Sequence, residues 1–529
     1  MPDTEVRIDC ESKVTPAAVD DRFLKNSTWS VVSALANVFV GIVLSPYIVR
    51  LFGAERFGIW SLVFAILDYL WLFDLGLTPA IANLLTRYLA RKQTVQINEV
   101  INTASCYFMV ISCLIFVITA TATPMIVKLF RVPDKHRMEF TGLIAMTGFS
   151  WGLCIVHQMY VAALDAFQRF DLSSRVSGVI VLCRSASYLL VLKAGGGLME
   201  VGAVYVIYQV VGALLHARNF ASVFPSLRFS GRFVKWRMFE HILHYGVPAF
   251  FANGAGLLVN QSAPLIIGHY LPTAFVGFFA LPTKLVQNVT DVVSRIGLVT
   301  RSRAAELDAK ANRAGIAVLA TETNRYCFAV YMPILIVLGL FGRQLLRLWL
   351  GLQFEANSGP LLTPLVFSSA FVLGGQFNSA AVLFGLGEHR SYARLLTCEG
   401  LLSLATLVVV VPRFGILGAT FVVSGLMIAL RGIATPIILC RTLGISFLRY
   451  MSAIYCRPAM TAFLVLALVV LVQRLGVRGT TWTQLAVIAL GTTLVYASIA
   501  VMTCLTPIHR RLVLSLILRG RSTADSPTP

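Results

Sequence analysis

Five polar residues of one apolar segment, Lys284, Gln287, Asn288, Asp291 and Arg295, recur at intervals of three and four. That spacing puts them on one face of a helix. At the centre of a bilayer a charge costs roughly 2.5–3.5 kcal/mol on insertion scales, so such a stripe must face other helices or water. The chemistry it can do is recognition of an anionic head group. Lys284 and Arg295 would meet phosphate oxygens, and Gln287 and Asn288 would add neutral donors beside them. The same spacing also fits an internal Asp291–Arg295 pair, with Lys284 reaching outward along its stem.

Two carboxylates stand in greasy surroundings further up the chain, Asp68 and Asp74. Either could bind a proton or a sodium ion whose gradient drives a conformational cycle, with Asp291 as a third candidate. The structural alternative for the first two is a pair with Arg184 or Arg431. Arg184 sits among Cys183, Ser185 and Ser187, where phosphate recognition and an ion pair are equally compatible with its neighbours. Arg431 reads as interfacial, and Glu399 as a lone acid bonded locally. Thr78-Pro79, just after Asp74, can bend the chain there.

The segment YGVPAFFANGAGLLVNQSAPLIIGHYL carries Pro248 and Pro264, each of which removes a backbone bond, and Gly246, Gly254 and Gly256, which ease bending. Pro248, Pro264 and Gly254 are read as a hinge, with Asn253, Asn260 and Gln261 on its cavity side. Close packing through the small residues is the alternative. Enzymatic chemistry finds no support: GxxxxGK[ST], GxSxG and HExxH are absent. His241 and His244, without a third ligand, read as an interfacial pair and not a metal site. The ten cysteines contain no CxxC and read as small buried hydrophobes. No cofactor motif is present.

The elements that must position these residues are membrane helices. Of 529 residues 57% are hydrophobic and 13% charged, about half the charge of a soluble domain. Apolar runs long enough to span a bilayer lie at 27–51, 57–88, 99–123, 139–164, 173–193, 199–222, 243–268, 273–299, 324–349, 360–386, 393–411, 414–437, 453–473 and 482–505. The chain is an all-α polytopic membrane protein of about fourteen helices. The organisation is a tail (1–26), a first bundle of six helices (27–222), a basic linker (223–242), a second bundle of six (243–437), two more helices (453–505) and a tail (506–529). Net charge is +20, which in a soluble protein would suggest nucleic acid. With both termini in the cytoplasm, 28 of the 44 Lys and Arg fall in inner segments and 12 in outer ones, so the positive-inside rule accounts for the excess. The outer segment around LFRVPDKHR, with four of them once the preceding Lys128 is counted, is the awkward fit. No cleavable signal appears, so the first helix reads as an uncleaved anchor. The Ala- and Glu-rich stretch 301–323 reads as a short surface helix on anionic lipid.

Ala36-Asn37, Pro46 and Phe57-Gly58 recur as Ala252-Asn253, Pro264 and Phe275 with Gly277, with offsets matching within about two residues. That suggests two parallel six-helix halves with the path between them. The stretches PYIVRLFGAERFGIWSL and DLGLTPAIANLLTRYLA resemble the N-terminal signature of polysaccharide-biosynthesis (Wzx-like) flippases. Their superfamily also holds the multidrug/toxin extrusion proteins and the lipid II flippase. The resemblance implies a flippase that moves an undecaprenyl-diphosphate-linked oligosaccharide across the bacterial inner (plasma) membrane for O-antigen, capsule or exopolysaccharide assembly. It implies alternating access driven by a cation gradient, H+ or Na+, with membrane lipids and a polysaccharide polymerase complex as partners. Family members often carry an arginine after DLGL, where this chain has Ala80-Ile81-Ala82-Asn83. A cation-coupled multidrug extruder, a membrane glycosyltransferase and a non-transporting scaffold of an assembly complex are the rival readings. An extruder would favour acidic drug pockets over the basic stripe, and a transferase would need a large outer loop.

Overall fold

The computed structural model describes residues 21–511, apart from 168, 376, 477, 478 and 508; the side chains of 21–40, 42–43, 291–296, 298–299, 374–375 and 389 fall outside that description. Among the described residues the regular elements are helices. They are α1 (Asp21–Asp68), α2 (Leu77–Ala90), α3 (Thr94–Leu129), α4 (Arg137–Ala166), α5 (Phe170–Lys193), α6 (Leu198–Val223), α7 (Trp236–Tyr270) and α8 (Thr273–Ala309). After these come α9 (Arg313–Leu350), α10 (Leu352–Gly375), α11 (Phe377–Gly385), α12 (His389–Leu426), α13 (Thr435–Leu443), α14 (Phe447–Arg474) and α15 (Trp482–Thr503).

Two of these helices fold back on themselves. α1 has 48 residues, about 72 Å of helix against a hydrocarbon core of about 30 Å. It leaves helical geometry at Gly53, where φ is 74° and ψ is 173°. α12 does the same at Gly415, with φ 61° and ψ −151°. Glu399 and Arg431 lie equally far on either side of Gly415 and meet at 2.8 Å, as the two arms of a hairpin must. Eleven helical spans are long and apolar enough to cross a membrane. Two of them, Leu44–Ala90 and Arg390–Leu443, are such hairpins, and α8 with its polar stripe adds one more passage. The expected architecture of fourteen passages, six plus six plus two, is therefore present.

The second passage is broken where a single helix was expected. A 3₁₀ segment runs from Tyr69 to Asp74, and Leu75 and Gly76 follow at φ 49° and 71°. The break precedes Thr78-Pro79, and the proline lies in the first turn of α2, where its missing N–H leaves no bond unmade. Asp74 closes the gap: its carboxylate accepts the Thr78 hydroxyl at 2.5 Å and the Thr78 N–H at 3.3 Å.

The matched corners of the two halves pack on each other. A Cβ on Gly58 would lie 1.8 Å from the carbonyl of Thr273, and one on Gly277 would lie 3.0 Å from the Phe57 ring and 3.2 Å from the Ala54 carbonyl. The repeated glycines thus serve a reciprocal contact about the junction. Deeper along the same seam, a Cβ on Gly76 would meet the Gly246 carbonyl at 2.2 Å. Lipid supplies no hydrophobic push between helices, so such backbone approach through small residues is what lets them adhere.

Two loop expectations change. The stretch 301–323 is not a separate surface helix. α8 and α9 extend through it and meet at a tight turn, with Ala311 at φ 51° and Asn312 accepting the Gly315 N–H at 2.8 Å as a helix cap. The hydrogen bond from Lys310, with Arg303 beside it, holds the carboxyl of Glu306 at that end below its ordinary range. The basic outer stretch is largely answered by acids. Lys135 bonds Glu55 at 2.6 Å, His136 lies between Glu55 and Glu139, Arg137 pairs with Asp134 at 3.1 Å, and Arg56 pairs with Glu139 at 2.6 Å.

The linker is strapped down. Asn98 accepts the Arg228 N–H at 2.8 Å and donates to the Ser226 carbonyl at 3.3 Å. One turn on, Asn102 accepts the Ser230 N–H at 3.0 Å and donates to the Arg228 carbonyl at 2.9 Å. Lys235 reaches Glu99, and α7 begins at Trp236. The side chains of α3 thus do for the linker what a neighbouring strand would do. Asn102→Ala should lower stability by about 1–3 kcal/mol, since it removes two hydrogen bonds, those to the Ser230 N–H and the Arg228 carbonyl. It should also speed proteolysis between Phe224 and Lys235; an unchanged melting point and cleavage rate would show that other contacts hold the linker.

Candidate functional site

The junction of the halves is built around Asp68, the last residue of α1, at the start of the irregular segment. Gln261 of α7 donates its side-chain amide to the Asp68 carboxylate at 2.7 Å. Lys284, exposed on α8, lies within electrostatic reach of the same carboxylate. One acid of the first half is thus answered by two groups of the second. Tyr205 of α6 is also within its electrostatic reach, and the Tyr205 hydroxyl feels both Asp68 and Arg184. The Arg184 guanidinium lies over the Tyr205 ring, 5.3 Å from its centroid, and Phe64 meets that ring edge-on at 5.5 Å.

Three residues singled out from sequence, Asp68, Arg184 and Lys284, therefore share one neighbourhood. Gln287 and Asn288 follow one turn after Lys284. Gln287 lines a cavity of about 320 Å³ within the second half, among α7, α8, α10 and α12. Asn260, Thr290 and Ser369 also line it, together with the Glu399–Arg431 pair. Asp291 and Arg295 belong to α8, but their side chains lie outside the described residues. Asp74 lies apart from the cluster, its carboxylate turned onto Thr78. Pro248, Pro264 and Gly254 lie within α7, which is assigned as one helix from Trp236 to Tyr270; a Cβ on Gly254 would be 3.4 Å from Leu72.

Arg431 is not interfacial, and Glu399 is not alone. Their side chains are 16% and 4% exposed, and they bond at 2.8 Å. Arg431 comes from a π-helical segment, Met427–Ala434, a wider turn often found at functional positions. The sequence signal for this pair was its symmetry about Gly415, legible only if that glycine is taken as the hairpin corner. Gln261 showed itself as a polar residue, though nothing in its spacing pointed to Asp68.

Comparison with known proteins bears on this architecture. The sequence model of the polysaccharide biosynthesis protein family matches residues 23–300. A Shigella flexneri protein provisionally named as an O-antigen transporter is 20% identical over 402 residues, covering 75% of this chain and 93% of its own. An uncharacterised membrane protein, EpsK of Bacillus subtilis, is 21% identical over 371 residues, 68% of this chain and 72% of its own. Among solved structures, the lipid II flippase MurJ in an inward closed conformation superposes with a TM-score of 0.71 at 12% identity, covering 90% of this chain and 98% of that one. An inward-facing multidrug resistance transporter of the MATE family gives 0.63 at 13% identity, covering 80% and 98%.

Glu399→Ala should destabilise the protein by about 3–5 kcal/mol, because it leaves Arg431 charged and unanswered inside the bundle. The double change Glu399→Met with Arg431→Met should recover most of that in thermal unfolding. A double variant no more stable than the single one would mean the pair is not the dominant partner of either residue.

Proposed function

This chain belongs to the polysaccharide biosynthesis protein family and is a multi-pass membrane transporter, and from that premise we propose that it flips an undecaprenyl-diphosphate-linked oligosaccharide across the bacterial inner membrane. The observation that carries the reading is that Lys284 of the second half acts on Asp68, while Arg184 of the first half lies over Tyr205, whose hydroxyl feels Asp68 as well. A diphosphate is a compact double anion, and a cation from each half offers it charge-assisted hydrogen bonds. With both termini in the cytoplasm, as the Lys and Arg bias favours, the head group would enter from the inner leaflet.

In the absence of substrate, Asp68 answers Lys284 and ties α7 to the first half through Gln261. A diphosphate that takes Lys284 for itself leaves that carboxylate with one partner fewer. Uptake of a proton or sodium ion at Asp68 would then relieve the buried charge and loosen the seam. Alternating access follows as a shift between two packings of the same halves. Rocking about α7, with Pro248, Pro264 and Gly254 as its yielding points, repacks the contact with the Tyr69–Gly76 segment. The sugar would be carried in the space between the halves, and a polymerase complex would receive it on the far side.

Two measurements test the parts separately. Lys284→Ala should lower flipping of a lipid-diphosphate-linked glycan in proteoliposomes about tenfold, the size of one charge-assisted bond, while insertion and melting stay as before. Equal rates for mutant and wild type would remove Lys284 from the site. Asp68→Asn keeps an oxygen for Gln261 and loses only the charge. It should flatten the dependence of flipping on the pH or sodium gradient, and an unaltered gradient profile would end the coupling role.

A further inference from the structure

We infer that the cavity inside the second half takes the first sugar of the glycan, an uncharged pyranose ring joined directly to the diphosphate; this rests on the head-group reading given above. The cavity of about 320 Å³ is at the small end of ligand sites, which run from roughly 300 to 1,000 Å³. It has room for one ring and not for a chain of them. Its floor is polar and buried. Ser369 and Ser403 line it and are 1% and 4% exposed. Buried serines elsewhere in the bundle return the hydroxyl to the carbonyl one turn back, as Ser150 does to Met146 at 3.0 Å and Ser185 to Val181 at 2.6 Å. The hydroxyls of Ser369 and Ser403 make no hydrogen bond among the described residues, so both are left for whatever fills the cavity. The Glu399–Arg431 pair adds the rest. Its bond runs from Nε to one carboxylate oxygen, which leaves the other oxygen as an acceptor and the two terminal guanidinium nitrogens as donors.

A pyranose matches what these groups offer. Its hydroxyls donate to the free oxygen of Glu399 and accept from Arg431 and the two serines, in place of the water that would otherwise occupy a polar cavity. Phe279 and Phe377 give an apolar wall for the C–H face of the ring. The ion pair is neutral as a whole, so an uncharged sugar fits it. The carboxylate of an acidic sugar would compete with Glu399 for Arg431 and leave one of the two acids unanswered. Position makes this the first sugar. Asn260 and Gln287 line the same cavity but are exposed, so they stand at its mouth. Asn260 adjoins Gln261, which holds Asp68, and Gln287 lies within one turn of Lys284 on α8. A diphosphate held at Lys284 therefore has the mouth beside it. The ring joined to that diphosphate through a single oxygen is the part of the glycan that can reach in, and the remaining sugars stay between the halves.

The test is a binding titration of the full-length protein in lipid nanodiscs, read by thermophoresis, with a polyprenyl diphosphate that is bare or carries one glucose, galactose, N-acetylglucosamine or glucuronic acid. At least one of the three uncharged sugars should tighten binding about tenfold over the bare lipid, the size of one charge-assisted bond, and glucuronic acid should not. Glu399→Met with Arg431→Met should erase that preference while the bare lipid binds as in wild type, with melting temperature as the check on folding. Ser403→Ala, which keeps the pair, should reduce the preference about threefold, and it decides alone if the double variant melts early. Equal affinity for all five lipids, or a preference that the folded variants keep in full, would overturn the sugar site and leave the head-group reading standing. A glucuronic lipid that binds tighter than all three neutral ones would overturn the uncharged class. Binding of none of the five would remove the head-group reading, and the sugar site with it.

Discussion

A charge inside a bilayer must be answered by another group of the protein, because lipid answers nothing. Much of the polar organisation of this transporter follows from that constraint. Asp68 is met by Gln261 and Lys284, Glu399 by Arg431, and Asp74 by Thr78. Each partnership ties together segments that the chain otherwise separates. The first joins the two halves, the second joins the arms of a hairpin, and the third caps a broken helix. Only the first crosses the seam between the two halves; the other two lie within one half.

The contacts beside it are of another kind. Gly58 against Thr273, Gly277 against Ala54 and Gly76 against Gly246 are backbone approaches that admit no side chain. They are close, apolar or weakly polar, and cheap to separate compared with a buried ion pair. A seam made of such contacts plus one carboxylate cluster suits a device with two stable packings. The linker does not supply that freedom, since the paired bonds of Asn98 and Asn102 hold it to α3. The first turns of α7 are held to the first half as well: Phe239 packs on Tyr107 at 5.3 Å, and Arg87 lies over Tyr245 at 5.1 Å.

The corrections to the sequence reading share a cause. Linear spacing sees helices singly, and so it puts Arg431 at the interface and leaves Glu399 alone. Their pairing depends on a reversal at Gly415, and the π turn that aims Arg431 has no composition signal of its own. The 301–323 stretch was read as a surface helix from its Ala and Glu content. Helix propensity there is real, but it extends two long helices instead of building a third.

The sequence by itself determined the solvent, the number of passages and the family. Depleted charge and apolar run length leave a membrane chain no choice but helices, because unpaired backbone cannot survive in lipid. The stripe on α8 and the acids of the second passage were legible for the same reason: polar residues in apolar runs are conspicuous. Which polar residue answers which was decided only in three dimensions. Partner choice is a matter of crossing angle, register and the few glycines at which helices reverse or touch, and residues 193 positions apart, such as Asp68 and Gln261, carry no mark of each other in one dimension.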